Sequence, residues 1–335
     1  MAKVSVCIPA YKDAAGIKRL LNSIYASEYT DIDIIITDDT PDDSVKKAVD
    51  EFIRANGVSP SDVLKSYDEN IQADIFGFIG NFYKDVAIRI EYYHNESPLG
   101  PGENWNKCLS LADGEYIKFM HQDDWFTDPK SLGCFVDMLD EDPNAILAYS
   151  GSRQVSINEE DPFDISEYYD RCITKEHKTL LDADWRNFYI GQYIGAPSAT
   201  IYRNCDIRFD PQLQWIIDSD FYMKLLSGGG HMVCSLEPLV SIGVSNGQLT
   251  NLCAKDKIIN IREYKYVFNK YKLGFRNAYR EKLINICVRY GGRYSDISDC
   301  GITKEEYKPV LSVYRAELRK FYFDLILKKL HLRSK

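Results

Sequence analysis

The sequence predicts an α/β fold built on a largely parallel sheet, followed by a helical region, and three observations carry that prediction. Short apolar runs alternate with segments of helical periodicity, the first two of these runs both end in polar turns, and charge divides unevenly along the chain.

Val4-Ser5-Val6-Cys7-Ile8 is a short buried strand halted by Pro9, which has no backbone N–H to donate. The turn Ala10-Tyr11-Lys12-Asp13 follows. Ile17, Leu20, Leu21 and Ile24 then recur at i, i+3, i+4 and i+7, which puts four aliphatic side chains on one helix face. Ile32 to Thr37 is a second strand, ending in Asp38-Asp39-Thr40, and Val45, Ala48, Val49 and Phe52 mark a second amphipathic helix. Right-handed crossovers bring both strand ends to one edge of the sheet, so Tyr11 and Asp39 are predicted neighbours. An aromatic face beside a carboxylate can stack a base and accept from a ring N–H, which suits uracil and not cytosine. The same two residues also read as a rim aromatic and a helix cap.

Residues 58–86 look like an insertion in which Ile75, Phe76, Phe78, Ile79 and Phe82 predict an apolar helical cluster, an added subdomain or a partner surface. Ile88 to Tyr93 alternates as a strand, His94 to Asn106 carries loop-forming Gly and Pro, and Trp105, Leu109 and Ala112 begin a helix. The apolar run from Ile117 to Met120 then leads through His121 and Gln122 to Asp123-Asp124. Ligands bind at the carboxyl ends of strands in open α/β sheets, and two adjacent carboxylates repel unless a cation or a polyol shares them. A capping role for the pair is the alternative, because Thr127-Asp128-Pro129 is a helix-start signal. A helix through Leu132, Phe135, Val136 and Leu139, a strand at Ile146 to Tyr149 and a polar loop over 157–178 come next. That loop reads equally as an acceptor cover or a surface linker. Ile194 to Arg203 is a further strand-like segment, and the helix from Trp215 to Leu226 has Asp218 near its start.

The chain has 335 residues and a net charge of −9, from 41 Lys+Arg and 50 Asp+Glu. Residues 255–335 hold 20 basic and 9 acidic residues, or +11, so residues 1–254 hold 21 and 41, or −20. An acidic body carrying a basic tail suggests an anionic partner for the tail. Residues 256–290 have helical spacing, and a capping box from Thr303 to Glu306 introduces a stripe of Tyr307, Leu311, Tyr314, Leu318, Phe321 and Leu325. Arg315, Arg319, Lys320, Lys328, Lys329 and Arg333 flank it. Periodicity fits an anionic bilayer and packing on the body equally well. Nucleic acid is not expected, since no recognition motif accompanies the charge. No run approaches the ~18 apolar residues of a membrane span, and no secretory pattern opens the chain. Nine cysteines without a C-x-x-C pair predict reduced thiols, neither zinc nor a disulfide framework, and a cytoplasmic protein, peripheral on the inner membrane face if its tail meets lipid.

Taken together, Ser5 to Tyr11, the strand ending in Asp38-Asp39, and Leu109 to Ile117 running into Gln122-Asp123-Asp124 resemble the family 2 inverting glycosyltransferases of the GT-A fold. The resemblance implies a catalytic domain at 1–250, with the helical insertion at about 58–86 inside it and a basic helical region at 251–335. It implies a mixed, mostly parallel sheet flanked by helices, a nucleotide-diphosphate sugar donor, commonly UDP-linked, and a divalent metal, Mn2+ or Mg2+. Tyr11 and Asp39 would then contact the uracil, with Pro9 and Asn106 in the same nucleotide-binding set, Asp123 the ribose, and Asp124 the metal. Asp218 aligns with the carboxylate that takes the acceptor proton, a role that a helix N-terminus supports by favouring the ionised form; a plain cap is the alternative. Two departures stand out: Trp105 replaces a basic residue often found there, and Ser245 stands where many relatives carry a histidine. The expected acceptor is a saccharide or lipid-linked saccharide in surface polysaccharide synthesis. The competing readings are a non-catalytic assembly subunit that kept the fold and a sugar nucleotidyltransferase. The latter lacks its Gly-rich phosphate loop here, as a Rossmann dehydrogenase would lack G-x-G-x-x-G.

Overall fold

The computed structural model describes residues 4–56, 63–68, 73–83, 86–158, 167–245, 253–291 and 293–333. Its first three elements follow the predicted periods. Strand β1 (Val4–Ala10) and strand β2 (Ile32–Asp38) are buried at every position, as befits strands covered on both faces. Helix α1 (Ala14–Tyr25) buries Ile17, Leu20, Leu21 and Ile24, each such aliphatic side chain contributing about 1.5–3 kcal/mol. Asp13 caps α1, its carboxylate accepting from the Gly16 N–H at 2.8 Å. Helix α2 (Ser44–Ala55) buries Val45, Ala48, Val49, Phe52 and Ile53 in the same core.

Strands β3 (Val63–Asp68), β4 (Ala73–Tyr83) and β5 (Val86–Asn95) come next, and they correct the helical reading of residues 58–86, of which 58–62, 69–72 and 84–85 lie outside the described residues. Ile75, Phe76, Phe78, Ile79 and Phe82 all lie on β4, which pairs antiparallel with both β3 and β5. Spacings of three and four occur in any dense apolar run, and this one is rich in aromatic and β-branched residues with Gly77 and Gly80 inside it, a composition that favours strand over helix. The segment extends the sheet outward.

After helix α3 (Pro101–Leu111) come β6 (Tyr116–Phe119), the two-residue β7 (Trp125–Phe126), α4 (Ser131–Asp140) and β8 (Ala145–Ser156). The polar stretch 157–178 is not all loop: β9 (Tyr168–Arg171) pairs antiparallel with β8, and α5 (Lys175–Ala183) starts within it, capped by Thr174. Short 3-10 turns at Trp185–Tyr189 and Pro197–Ala199 lead to β10 (Thr200–Arg203), α6 (Ile217–Ser227) and β11 (His231–Val244).

Among the described residues these strands form one sheet in the order β3-β4-β5-β2-β1-β6-β10-β8-β11-β7, with β9 beside β8. The centre, β5-β2-β1-β6, is parallel, and β8 and β11 are parallel as well; the remaining pairs are antiparallel. The central strands therefore end on one edge, which carries Tyr11, Asp39 and the Asp123-Asp124 turn.

The chain divides into two compact units. One comprises Met1–Phe188, Gln192–Leu213 and Ile217–Gln248; the other comprises Tyr189–Gly191, Gln214–Ile216 and Leu249–Lys335. The second unit holds α7 (Lys257–Lys270), α8 (Asn277–Tyr290), the short α9 (Tyr294–Ile297) and α10 (Lys304–Arg333). Its core comprises Ile261, Leu283, Ile286, Cys287, Val288, Ile297, Cys300, Ile302 and Val310. The capping box forms as expected: Glu306 accepts from the Thr303 N–H at 3.0 Å, and the Thr303 hydroxyl accepts from the Glu306 N–H at 3.3 Å. Tyr307, Val313 and Tyr314 pack on that core, whereas Leu318, Phe321, Tyr322, Phe323 and Ile326 farther along α10 are exposed. Among the described residues no helix is long and apolar enough to cross a membrane.

Candidate active site

Three strand ends meet through hydrogen bonds. The Asp39 N–H donates to the Ala10 carbonyl at 3.0 Å, and the Lys12 N–H to the Thr40 hydroxyl at 2.8 Å, which ties the β2 end to the β1 turn. The Gln122 carboxamide then brackets Tyr11, its Oε1 accepting from the Tyr11 N–H at 2.7 Å and its Nε2 donating to the Tyr11 carbonyl at 2.6 Å. The turn after β6 is thereby fastened to the turn after β1. Tyr11 projects with its side chain half exposed, and Pro9 is buried within β1 opposite Thr37.

Asp39 is buried and takes three protein N–H groups. Oδ1 accepts from Asn95 Nδ2 at 2.6 Å and the Leu99 N–H at 3.1 Å, and Oδ2 accepts from the Gly100 N–H at 2.9 Å. A carboxylate offers about four lone-pair positions, so one place on Oδ2 is left for a ligand N–H. Asn95 is itself held by Lys107, whose Nζ donates to its Oδ1 at 2.6 Å, and by Asn104. This network shapes the loop before α3, where Gly100 has φ +85, a left-handed backbone that glycine adopts without strain. Its neighbour Asp38 is wholly buried and bonds Tyr92 and the Thr40 N–H; burial raises its pKa against those bonds. The two aspartates thus differ in their partners: Asp38 braces β2 against Tyr92, and Asp39 gathers the loop before α3.

Asn106 binds the backbone of Phe209 at both ends, Nδ2 donating to the carbonyl at 2.9 Å and Oδ1 accepting from the N–H at 2.8 Å. What it does in the structure is clamp the loop before α6. Trp105 packs against Phe119, His121 and Phe209, with ring centroids 4.9 to 5.4 Å away.

The acid pair separates in the same way. Asp123 is half-buried and its carbonyl accepts from Arg19 at 3.1 Å. It lines a cavity with Asp13, Ala15, Gly16, Arg19, Ile157, Asn158, Gly243 and Ser245, which does not include Tyr11, Asp39, Asn106 or Asp218. Asp124 is buried, accepts from the Gly243 N–H at 3.2 Å and is bonded by the Ser198 hydroxyl. Burial first, and then the charge of Asp123, push its carboxyl well above the usual range, against those two bonds and Lys118. Gly243 is required by close approach, because a Cβ there would lie 2.5 Å from the Asp123 carbonyl oxygen. Ligand atoms of His121, Asp123 and Asp124 all lie within 4.8 Å of one another. This set of one imidazole and two carboxylates fits a divalent cation, which would supply the positive charge that the raised Asp124 lacks.

Asp218 stands in the first turn of α6. Its Oδ2 accepts from Gln192 Nε2 at 3.0 Å and its Oδ1 from the Ser219 N–H at 2.7 Å. Gln192 also binds Gly195 through both its amide nitrogen and its oxygen, so its orientation is fixed. Gly195 opens the segment containing Ser198, whose oxygen accepts from the His121 N–H at 2.9 Å. Asp218 is therefore linked to the acid turn through Gln192 and the 195–198 segment. Asp220 is fully buried and pairs with Lys224 at 3.3 Å.

Sequence reasoning missed Asn95, Lys107, Gln192, Ser198 and the buried Lys118, which donates to the Ser198 carbonyl. It also missed Glu263, whose carboxylate gathers the N–H groups of Gln214, Trp215 and Ile216 at 2.8 to 3.1 Å. Lys118 carried a signal, a lone charge inside an apolar strand; the others did not.

The chain belongs to glycosyl transferase family 2, whose family model matches residues 5–63 and 81–195, just over half of the 335 residues, and its fold is the GT-A fold. The match passes over residues 64–80, which hold most of the β3–β4 pair. An uncharacterised Mycobacterium tuberculosis protein is 28% identical over 236 residues, covering 67% of this chain and 61% of that protein. A Campylobacter jejuni GalNAc(5)-diNAcBac-PP-undecaprenol beta-1,3-glucosyltransferase is 26% identical over 125 residues, 37% of this chain and 30% of that one. The chain thus matches less than two thirds of the length of either relative. Among solved structures, residues 1–349 of S. aureus TarS in complex with UDP-GlcNAc share the fold at a TM-score of 0.52 and 16% identity, over 92% of this chain and 79% of that one. A Pyrobaculum calidifontis mannosyltransferase in complex with GDP-Man and Mn2+ matches at 0.53 and 13% identity, over 94% and 84%.

Proposed function

We propose that this glycosyltransferase moves a sugar from a UDP-linked donor, with inversion at C1, to a hydroxyl of a saccharide or lipid-linked saccharide in surface polysaccharide assembly. The donor half rests on one observation: the Tyr11, Asp39 and Asp123-Asp124 turns are hydrogen-bonded together at one sheet edge. Tyr11 offers an exposed ring for the base, and the open position on Asp39 accepts its N–H. Asp124 would hold Mn2+ or Mg2+, which when bound would supply positive charge to offset that on the departing diphosphate. Asp218 takes the proton of the attacking hydroxyl, aimed by Gln192 and the Ser219 N–H. The lipid-linked acceptor is supported by the activity for which the Campylobacter relative is named, and the donor by the ligand of the TarS complex.

The second half of α10 supports contact with an anionic bilayer from the cytoplasmic side. Its exposed Leu318, Phe321, Tyr322, Phe323 and Ile326 lie among Arg315, Arg319 and Lys320. Flotation with phosphatidylglycerol vesicles tests this, and Phe321→Ser with Phe323→Ser should weaken it.

The deciding assay is UDP release from a panel of UDP-sugars with Mn2+ present, followed by NMR assignment of the product anomer. Turnover giving the opposite anomer supports the reading. No turnover with any donor, UDP- or GDP-linked, would favour a non-catalytic assembly subunit.

A further inference from the structure

The geometry points to α7 as the support of the proton-accepting pair: Glu263, on that helix, and Tyr189, held by it, are positioning residues that set Asp218 and Gln192 for attack by the acceptor hydroxyl. The inference rests on the reading of Asp218 as the base given above.

Asp218 and Gln192 are joined at 3.0 Å although they are far apart in the chain, and each follows a segment that belongs with α7 to the helical unit. Tyr189–Gly191 ends one residue before Gln192, and Gln214–Ile216 ends two residues before Asp218. Consecutive residues of α7 hold the two segments.

Glu263 is buried, and its carboxylate takes three successive backbone N–H groups. Oε1 accepts from Gln214 at 2.8 Å, and Oε2 from Trp215 at 2.9 Å and Ile216 at 3.1 Å. Packing alone does not call for a charge there, since an apolar side chain fills the same volume without the desolvation that a buried carboxylate incurs. What the charge adds is direction: three donors aimed at one carboxylate fix the turn that enters α6, and Asp218 lies in the first turn of that helix.

The next residue of α7 holds the other segment. The Tyr189 hydroxyl donates to the Tyr264 carbonyl at 3.2 Å, and its buried ring meets those of Tyr264 and Phe268 at centroid distances of 5.4 and 6.1 Å. Tyr264 and Phe268 are four residues apart and so share one face of the helix. The bonds of Gln192 to Gly195 orient its amide, and the contacts of Tyr189 fix where that turn begins.

The chemistry explains why both segments are held. A catalytic group works within about 0.5 Å of its productive place, and a displacement of about 1 Å costs on the order of 100-fold in rate. Asp218 has one partner in its own helix and one in the 192 turn, so its aim depends on both. The turns bearing Tyr11, Asp39 and the acid pair have their own hydrogen bonds at the sheet edge, so the support acts on the acceptor half of the reaction.

The test is a double-mutant cycle on the full chain, with kcat from UDP release at saturating acceptor and UDP affinity from calorimetry. Glu263→Gln keeps the shape but turns an NH2 toward a backbone N–H; kcat should fall about 10- to 100-fold while UDP affinity stays within about threefold. Tyr189→Phe deletes one hydroxyl and leaves the ring to pack, and should lower kcat about threefold. In an Asp218→Asn background either substitution should cost less than about twofold, because a residue that acts through the base has nothing left to act on. A merely structural role gives the same fold loss in both backgrounds and weakens UDP binding as well. The inference is overturned, with the base assignment intact, if Asp218→Asn loses more than about tenfold and the two substitutions lower kcat equally in both backgrounds, or if neither lowers it in the wild type. Transfer by Asp218→Asn within about tenfold of wild type overturns the base assignment and the inference with it. If Glu263→Gln does not fold, the Tyr189→Phe cycle decides by the same criteria.

Discussion

Replacing Asp218 by Asn separates chemistry from binding. The substitution preserves shape but leaves one acceptor oxygen where two are used, by the Ser219 N–H at 2.7 Å and Gln192 Nε2 at 3.0 Å. If the remaining oxygen stays on Ser219, an amide NH2 faces the NH2 of Gln192. Gln192 cannot turn without giving up its two bonds to Gly195. One hydrogen bond to a charged acceptor is therefore lost, a local cost of about 1.5–3 kcal/mol. The catalytic loss is larger: removing a general base lowers the rate roughly 10²–10⁴-fold, about 3–5 kcal/mol on the barrier. Asp39 and Asp124 are untouched, so UDP affinity measured by calorimetry should stay within a few fold. The assay is UDP release with an active donor and acceptor, alongside that titration and a thermal melt. Transfer within tenfold of wild type, or loss of UDP binding in a variant that melts normally, would refute the role given to Asp218.

Four other outcomes follow from the same structure. Asp124→Ala should abolish the metal dependence of UDP binding while weak metal-free binding remains; an unchanged response to Mn2+ would show that another group holds the ion. Gly243→Ala places a methyl group 2.5 Å from the Asp123 carbonyl oxygen, an overpacking of about 1–3 kcal/mol, and should lower the melting temperature by several degrees together with metal affinity. Asn106→Ala should act through Phe209 and the approach to α6, so turnover and thermal stability should fall together while UDP affinity is largely kept. In the helical unit, burial raises the Glu306 pKa, but the bonds from Lys265 and Thr303 outweigh it and the net value is lowered. A carboxyl lowered on folding stabilises above its unfolded pKa of about 4.3, and that contribution is lost as pH falls through the folded value. The gap in urea midpoint between wild type and Glu306→Gln should be widest near pH 7 and close as pH drops below that range.

Some of the site was legible because the chemistry is local. Asp123-Asp124 at the end of an apolar run announces a charged sheet edge in any α/β chain, and Thr303 with Glu306 carries its capping geometry in a four-residue pattern. The partners of those residues were not legible. Asn95 and Lys107 matter because β5 and α3 bring them to Asp39, and Gln192 because the 192–195 turn faces α6. Ordinary polar residues give no sign of this in isolation. The helical reading of residues 58–86 went wrong for a related reason: an apolar run satisfies helical spacing, and pairing with β3 and β5 decides that β4 is strand.

The sequence by itself determined the central elements, the edge at which they end and the acidic character of that edge. Burial periodicity and the handedness of crossovers act within tens of residues and leave little choice. The tertiary structure decided what each acid does. Asp38 is enclosed against Tyr92 while Asp39 binds the loop before α3, Asp124 sinks beneath Ser198 and Gly243 while Asp123 reaches a cavity, and Asp218 is gripped whereas Asp220 is paired away. Identical carboxyl groups acquire different roles because desolvation and hydrogen-bond supply are set by neighbours distant in the chain, and only the folded molecule assembles those neighbours.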